Sequence, residues 1–160
     1  MGVQNVYMLS SVIPTQVKGG KVIAIAGNFE TLAADDIDVI YRLCRVPANA
    51  VILQMELNCD AIAGFTDANV GLYDTLEQGG AVKDYDCFLD GKDISAGYAL
   101  GSEINCLETL PIDEIGDQMY EQAGDSAPTP NGEYDLCLTS DAEITAAGTV
   151  AVRILMAVSS

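Results

Sequence analysis

A regular alternation of apolar and polar side chains over residues 51–60 constrains the fold more than any other feature of the sequence. Apolar side chains occupy every second position, and polar ones lie between them from Gln54 onward. The apolar set is Val51, Leu53, Met55, Leu57 and Cys59. Because successive side chains of a strand point to opposite faces of a sheet, the pattern predicts a β-strand with one buried and one solvent-exposed face.

Alternating segments also precede and follow this strand. Residues 39–44 alternate before it, and residues 68–73 alternate after it with the opposite parity. A turn at residues 47–49 and a polar loop at residues 61–67 separate the three segments. The sequence therefore predicts three successive strands, the second and third paired as an antiparallel hairpin. Turn signals about every ten residues are typical of a β-sandwich or barrel.

The remaining chain supplies further strands and one helix. We predict a helix at residues 112–124, because apolar residues recur there at helical spacing, acids occupy the first turns and Gly124 suits a C-terminal cap. Residues 6–13 are predicted as a first strand or arm, within a single domain spanning residues 1–160 whose residues 1–20 form an N-terminal arm. Further strands are predicted at residues 21–26, 82–88, 134–139 and 149–158.

The last of these strands is apolar on both faces. Branched aliphatic residues and a methionine line one face, while Ala151, Arg153 and Leu155 lie on the other. A strand of this kind is either central in its sheet or covered by a partner, because an uncovered one would aggregate. We therefore select Ala151, Arg153 and Leu155 as candidate interface residues.

The charge balance excludes one large class of partners. The chain has 24 acidic and 7 basic residues, no histidine and a formal net charge of −17. Nucleic acid is not expected as a partner, since phosphate binding requires clustered Lys and Arg. Only 19% of residues are charged and the mean hydropathy is +0.23, unlike a disordered acidic tail. This apolar excess predicts a docking face or a homo-oligomer, a dimer or trimer. No apolar run is long enough for a membrane span.

Residues that carry catalytic or metal chemistry are sparse. The five cysteines form no CxxC pair, and the GxSxG and phosphate-binding glycine motifs are absent. Residues 84–93 and 65–69 offer oxygen ligands of the kind that bind calcium. Gly91 is not followed by the glutamate of an EF-hand, so the sequence favours a solvated acidic loop. We therefore expect no enzymatic activity, no metal and no cofactor. Unpaired thiols suit synthesis in a reducing compartment such as the cytoplasm.

Two of the seven basic residues, Arg42 and Arg45, lie close together in this acidic chain. One interpretation is structural ion pairing with nearby acids such as Asp36 or Asp38. The other is that they orient the chain against an acidic neighbour in an assembly, which makes them candidate interface residues. Their odd separation places them on opposite faces of a regular strand, unless the turn at Pro47 intervenes.

Several segments resemble the small head-decoration proteins of tailed bacteriophages. The resemblance lies in the arginine-flanked strand, the VPANA turn, the alternating strand and the GLYD…GGAV continuation, and it covers residues 38–95, 112–124 and 133–158. It implies a mainly β, jelly-roll-like antiparallel sandwich with one short helix. It also implies a structural protein on the outer surface of the virion head, made in the host cytoplasm, with the major capsid protein as partner.

A second function is compatible with the same fold. A carbohydrate- or receptor-binding module of a phage tail or fibre also uses a β-sandwich. Such modules stack sugars on exposed aromatic rings, whereas this chain has no Trp, seven Tyr and three Phe. Capsid decoration is therefore the favoured expectation.

Overall fold

The computed structural model describes residues 4–7, 21–37, 39–128 and 132–158, with side chains described from residue 21 onward. Within these ranges the chain forms nine strands, one α-helix and two short 3-10 turns. The strands are β1 Gln4–Tyr7, β2 Lys21–Thr31, β3 Val39–Pro47, β4 Ala50–Cys59, β5 Ala68–Tyr73, β6 Val82–Lys92, β7 Ile104–Asn105, β8 Glu133–Ser140 and β9 Gly148–Val158. The helix α1 is Met119–Gln122, and the 3-10 turns are Leu76–Gln78 and Ile112–Glu114. The rest of the predicted N-terminal arm, residues 1–3 and 8–20, lies outside the described residues.

Two sheets pack face to face as a jelly-roll sandwich. The four-stranded sheet has the order β2-β9-β4-β7 and the five-stranded sheet the order β1-β3-β8-β5-β6. Apart from β1, which runs parallel to β3, the pairings are antiparallel. When the short strand β1 is left aside, strands β2 to β9 form two interleaved four-stranded sheets. Eight strands in this arrangement form a jelly roll. The predicted fold class is confirmed.

The predicted hairpin between the second and third alternating segments is wrong. β4 pairs with β9 and β7, whereas β5 pairs with β8 and β6 in the other sheet. The connection between them carries Ile62 and Phe65, which are fully buried. Because these two side chains anchor the loop over the end of the core, the chain crosses the sandwich instead of turning back on the same sheet.

A β-bulge in β4 changes which side chains are buried. The register with β9 shifts between Ile52 and Gln54, so Ile52 is 8% exposed and Leu53 is 50% exposed. Met55 and Leu57, beyond the bulge, are completely buried as predicted. The predicted burial of Leu53 is wrong, because an extra residue in one strand reverses the side-chain parity on either side of it.

The last strand is central. β9 lies between β2 and β4 and pairs with β2 along its whole length, from Gly148 opposite Thr31 to Val158 opposite Lys21. Its inner side chains are part of the hydrophobic core: Val150, Val152, Ile154 and Met156. Both edges of β9 are therefore paired, its inner face lies in the core, and its outer face is left uncovered by the two neighbouring strands.

The helix prediction is correct in kind and too long in extent. Residues 112–114 form a 3-10 turn, and only Met119–Gln122 are α-helical. Gly116 has a φ of +99°, in the left-handed region that ends a helical turn. Gln118 then starts α1 with a capping box that includes Glu121. As a result Ile112 and Ile115, two of the apolar residues at helical spacing, are exposed.

The outer face of the five-stranded sheet is covered by its own edge strand. Val70 is opposite Leu89 and Leu72 is opposite Asp84, so a segment of β6 bulges out between these two pairs. That segment crosses Gly71 so closely that a Cβ atom there would lie 2.1 Å from the Asp84 carbonyl oxygen. Only glycine permits this approach, which lets β6 fold over the sheet.

Candidate functional site

The outer face of the four-stranded sheet carries three of the five predicted interface residues. Ala151, Arg153 and Leu155 alternate with core residues along β9, in the middle of the face. In register, Arg153 is opposite Ala26 and Glu56 on the two neighbouring strands. The face is therefore formed jointly by β2, β9 and β4.

Much of this face is apolar. Val22 on β2 is 61% exposed, and Leu53, turned outward by the bulge of β4, is a second exposed aliphatic side chain. Smaller or partly buried apolar residues extend the surface between them: Ala24, Ala26, Val51, Leu155 and Ala157. A shallow cavity of about 290 Å³ opens on the face beside Arg153. Adjacent exposed aliphatic side chains of this kind mark contact surfaces between proteins.

The same face is almost neutral. One Arg153 nitrogen, Nη2, lies 2.9 Å from a carboxylate oxygen of Glu56 and 2.9 Å from one of Glu103. Glu30, at the end of β2, accepts a hydrogen bond from the Thr149 hydroxyl. The outward positions of β2, β9 and β4 thus carry two acids, Glu30 and Glu56, and one base, Arg153, and Glu103 adds a third acid beside Arg153. This is a small share of the net charge of −17. This surface can approach another acidic surface with little repulsion.

Arg42 and Arg45 lie on the other sheet and are not part of this face. The register of β3 with β8 shifts between Arg42 and Cys44, and this bulge brings both arginines to the same side of β3. Each contacts Asp135: Arg42 Nη1 at 2.6 Å and Arg45 Nε at 3.4 Å. The expectation of opposite faces is therefore wrong, because the bulge changes the parity between the two residues.

The two arginines differ in exposure. The Arg42 side chain is buried and also donates hydrogen bonds to the Asp74 and Gly80 carbonyl oxygens, so it offers no exposed surface to a partner. Arg45 is partly exposed and pairs with Glu77. The expected partners, Asp36 and Asp38, are the acids nearest in sequence. Asp135 is far away in sequence, and it lies beside the two arginines because the jelly-roll order places β8 next to β3. Asp38 lies outside the described residues.

The acidic residues of β6, which offer oxygen ligands of the kind that bind calcium, line a different cavity. Asp84, Asp86 and Asp90 surround a cavity of about 530 Å³ together with acids of the 112–124 segment. Burial and the neighbouring Asp84 raise the pKa of Asp86. In the described part of the chain, no group of three or more His, Cys, Asp or Glu side chains is arranged to hold a metal ion.

The five cysteines are free thiols. Burial raises the pKa of Cys44 and of Cys106 to about 12, and it raises the pKa of Cys59, Cys87 and Cys137 as well. A thiol is nucleophilic as its thiolate, so these cysteines are unreactive at neutral pH. Their place in the structure is that of small apolar side chains.

No helix among the described residues has the length and apolar character needed to cross a bilayer.

Comparison with known proteins gives matches at the level of structure. No protein-family model matches the chain, and no curated protein matches it. A chain of the Ralstonia phage GP4 capsid is similar with a TM-score of 0.58 and 13% identity, over 98% of both chains. A chain of the Cyanophage Pam1 capsid asymmetric unit is similar with a TM-score of 0.51 and 12% identity, over 94% of both chains. The protein thus has, along nearly its whole length, a fold that occurs in two phage capsid structures.

Proposed function

We propose that this chain is a virion structural protein that decorates the outer surface of a tailed-phage head by binding the major capsid protein. The observation that carries the proposal is the jelly-roll fold that the chain shares, along nearly its whole length, with chains of two phage capsids. The inert thiols and the absence of histidine suit a structural role, not a catalytic one.

We further propose that the outer face binds a second copy of the chain, so that the protein decorates the head as a dimer or trimer. Two chains of charge −17 repel each other wherever their acidic surfaces meet. The outer face carries two acids and one base across three strands, with Glu103 beside Arg153, so two copies meet there at a small electrostatic cost. A multivalent decoration protein also gains avidity for a repeating capsid lattice.

Co-sedimentation with heads tests the decoration proposal. Purified protein is mixed with heads assembled from the major capsid protein encoded by the same phage, and the mixture is separated on a sucrose gradient. We expect the protein to travel with the heads in a fixed ratio to the capsid protein, and to appear as density on their outer surface by electron cryomicroscopy. Protein that stays at the top of the gradient above micromolar concentration would overturn the proposal.

A pair of variants tests whether self-association through the outer face contributes to head binding. Leu53→Lys places a charge on the face, whereas Ile112→Lys makes the same chemical change at an exposed position in the 3-10 turn. Both variants lower the net negative charge by one, so bulk electrostatics are matched. We expect Leu53→Lys to lower head occupancy and Ile112→Lys to leave it unchanged.

A further inference from the structure

A second cavity lies on the opposite side of the sandwich, on the outer face of the five-stranded sheet. Its volume is about 290 Å³, and it opens where β3 begins and β8 ends, below the segment of β6 that crosses the sheet. Six of its side chains matter to the argument: Ile37, Ile40, Val82, Tyr85, Thr139 and Asp141. They combine apolar walls, an aromatic ring, a hydroxyl and a carboxylate in one small space.

The walls of this cavity are apolar and open to solvent. Ile37, Val82 and Tyr85 are all large exposed hydrophobic side chains, and they surround the same opening. Ile40 forms part of the floor, opposite Thr139 in the register of β3 and β8. Three large apolar side chains exposed around one cavity favour a ligand with a hydrocarbon part.

Thr139 and Tyr73 form the floor of the cavity. Thr139 is only 7% exposed, and its Oγ1 atom is buried. Burial raises the pKa of Tyr73 to about 12, and the neighbouring Thr139 hydroxyl partly offsets that rise. The floor is therefore closed, and the groups open to a ligand are those of the walls and the rim.

A carboxylate stands at the rim. Asp141 follows directly after β8 and is exposed, and its Oδ2 accepts a hydrogen bond from Asn69 Nδ2 at 3.3 Å. Among the described residues it forms no ion pair with a Lys or Arg within 4.0 Å. The charges of Asp86 and then of Asp141 raise the pKa of Tyr85. The opening therefore has a negative potential beside an aromatic face.

We propose that this cavity binds an arginine side chain presented by a partner protein. The guanidinium would pair with Asp141 and lie against the Tyr85 ring, while the aliphatic stem packs on Ile37 and Val82. Arginine combines an apolar stem with a planar cation that stacks on aromatic rings and pairs with carboxylates. The chain's charge of −17 attracts such a ligand and repels phosphate.

The same sheet face already holds an arginine in this way. The Arg42 guanidinium carbon lies 5.8 Å from the centroid of the Tyr73 ring, and its Nη1 pairs with Asp135. An aromatic ring and a carboxylate thus hold an internal arginine a short distance along the sheet. In the cavity the ring and the carboxylate are present, and the arginine comes from outside the chain.

This inference goes beyond the proposed function and does not depend on it. The cavity and the neutral outer face lie on opposite sheets, so occupation of one leaves the other accessible. A failure to bind phage heads would leave the arginine site untouched, and a failure to bind arginine would leave the capsid proposal untouched.

Methyl NMR with small arginine derivatives tests the proposal. The full-length protein, labelled at isoleucine, valine and threonine methyl groups, is titrated with N-acetyl-arginine amide. Its control is N-acetyl-citrulline amide, which has nearly the same shape and no charge. We expect the arginine derivative to shift the methyl signals of Ile37, Ile40 and Val82 in a saturable way. The citrulline derivative should bind about tenfold more weakly, because it loses a charge-assisted contact.

Variants make the test specific to the site. Asp141→Asn retains an oxygen that can accept the hydrogen bond from Asn69 and removes the charge, so arginine binding should weaken about tenfold. Asp113→Asn removes an exposed acid in the 3-10 turn at residues 112–114 and should leave binding unchanged. Equal shifts from arginine and citrulline, equal effects of the two variants, or no shift of the cavity methyl signals would each overturn the proposal.

Discussion

Arg42 Nη1 donates a hydrogen bond to Asp135 Oδ2 across 2.6 Å, and the two side chains are only 2% and 3% exposed. They lie on the neighbouring strands β3 and β8, on the outer face of the five-stranded sheet. Withdrawing two charges from water is costly, and their mutual attraction together with further hydrogen bonds to Arg42 offsets that cost. The pair therefore ties β3 to β8 only while both partners are present.

The first prediction concerns this pair. The substitutions Arg42→Met and Asp135→Asn should each lower the free energy of unfolding by about 3–5 kcal/mol. Asp135→Asn leaves the buried Arg42 charge without a carboxylate, and Arg42→Met leaves Asp135 only its longer contact with the partly exposed Arg45, at 3.4 Å. Arg45→Met is the matched control, and since Arg45 is partly exposed it should cost less than about 1 kcal/mol. Urea denaturation followed by circular dichroism measures these differences. Similar losses for Arg42 and Arg45 would contradict the burial of the first pair.

The second prediction tests the bulge in β4. Ile52→Ala should lower the free energy of unfolding by about 2–4 kcal/mol, because it leaves a cavity in the core. Leu53→Ala, one residue further along the chain, should cost less than about 1 kcal/mol, because Leu53 faces outward. The same urea experiment compares the two at a protein concentration low enough for the chain to be monomeric, because Leu53 also lies on the proposed self-association face. A larger loss at Leu53 in the isolated protein would mean that the strand keeps a regular parity.

The third prediction concerns acid sensitivity at Asp125. The Tyr134 hydroxyl donates a hydrogen bond to this carboxylate at 2.5 Å and Lys83 Nζ does so at 3.1 Å, and these partners lower the pKa of Asp125. A carboxyl whose pKa is lower in the folded state stabilises the protein above its unfolded pKa, and this contribution disappears as the pH falls through the folded pKa.

The Asp125→Asn variant provides the readout. At pH 7 it should unfold at a lower urea concentration than the wild type, and the gap should close as the pH falls below about 4, the ordinary pKa of aspartate. Asp113→Asn, at an exposed position in a 3-10 turn, is the control and should follow the wild type at every pH. A gap that stays constant with pH would show that Asp125 does not contribute through its charge.

The side-chain alternation predicts the strands well, because a buried sheet face requires an apolar side chain at every second residue. It fails at Leu53 and between Arg42 and Arg45, where single-residue bulges reverse the parity without a local signature in the sequence. The false hairpin between β4 and β5 has a related cause. A polar, turn-rich loop looks the same in sequence whether it turns back or crosses to the other sheet, and only the burial of Ile62 and Phe65 distinguishes the two.

The outer face of β9 can be predicted from the sequence only in part. The position of Ala151, Arg153 and Leu155 on that face follows from the apolar character of both faces of β9, and the structure places the strand centrally with its outer face open. The sequence does not indicate that Val22 and Leu53 lie on the same face. The first lies on a short apolar run without visible alternation, and the second was assigned to the core. The arginine-binding cavity depends on β6 crossing Gly71, a contact that no local sequence pattern indicates.

Self-association is proposed to use the apolar outer face of β2, β9 and β4. Screening of the charge of −17 should strengthen association, because the Debye length falls from about 10 Å at 0.1 M salt to about 3 Å at 1 M salt. Contacts between apolar side chains do not weaken under the same change. Association through this face should therefore increase with salt, whereas association through ion pairs would decrease.

Sedimentation equilibrium across this salt range measures the effect directly. For the wild type and for Ile112→Lys we expect a dimer or trimer at micromolar concentration, with a larger associated fraction at higher salt. For Leu53→Lys we expect a monomer under the same conditions. A wild-type protein that remains a 16.9 kDa monomer at every salt concentration, or a Leu53→Lys variant that associates as well as Ile112→Lys, would contradict the assignment of this face.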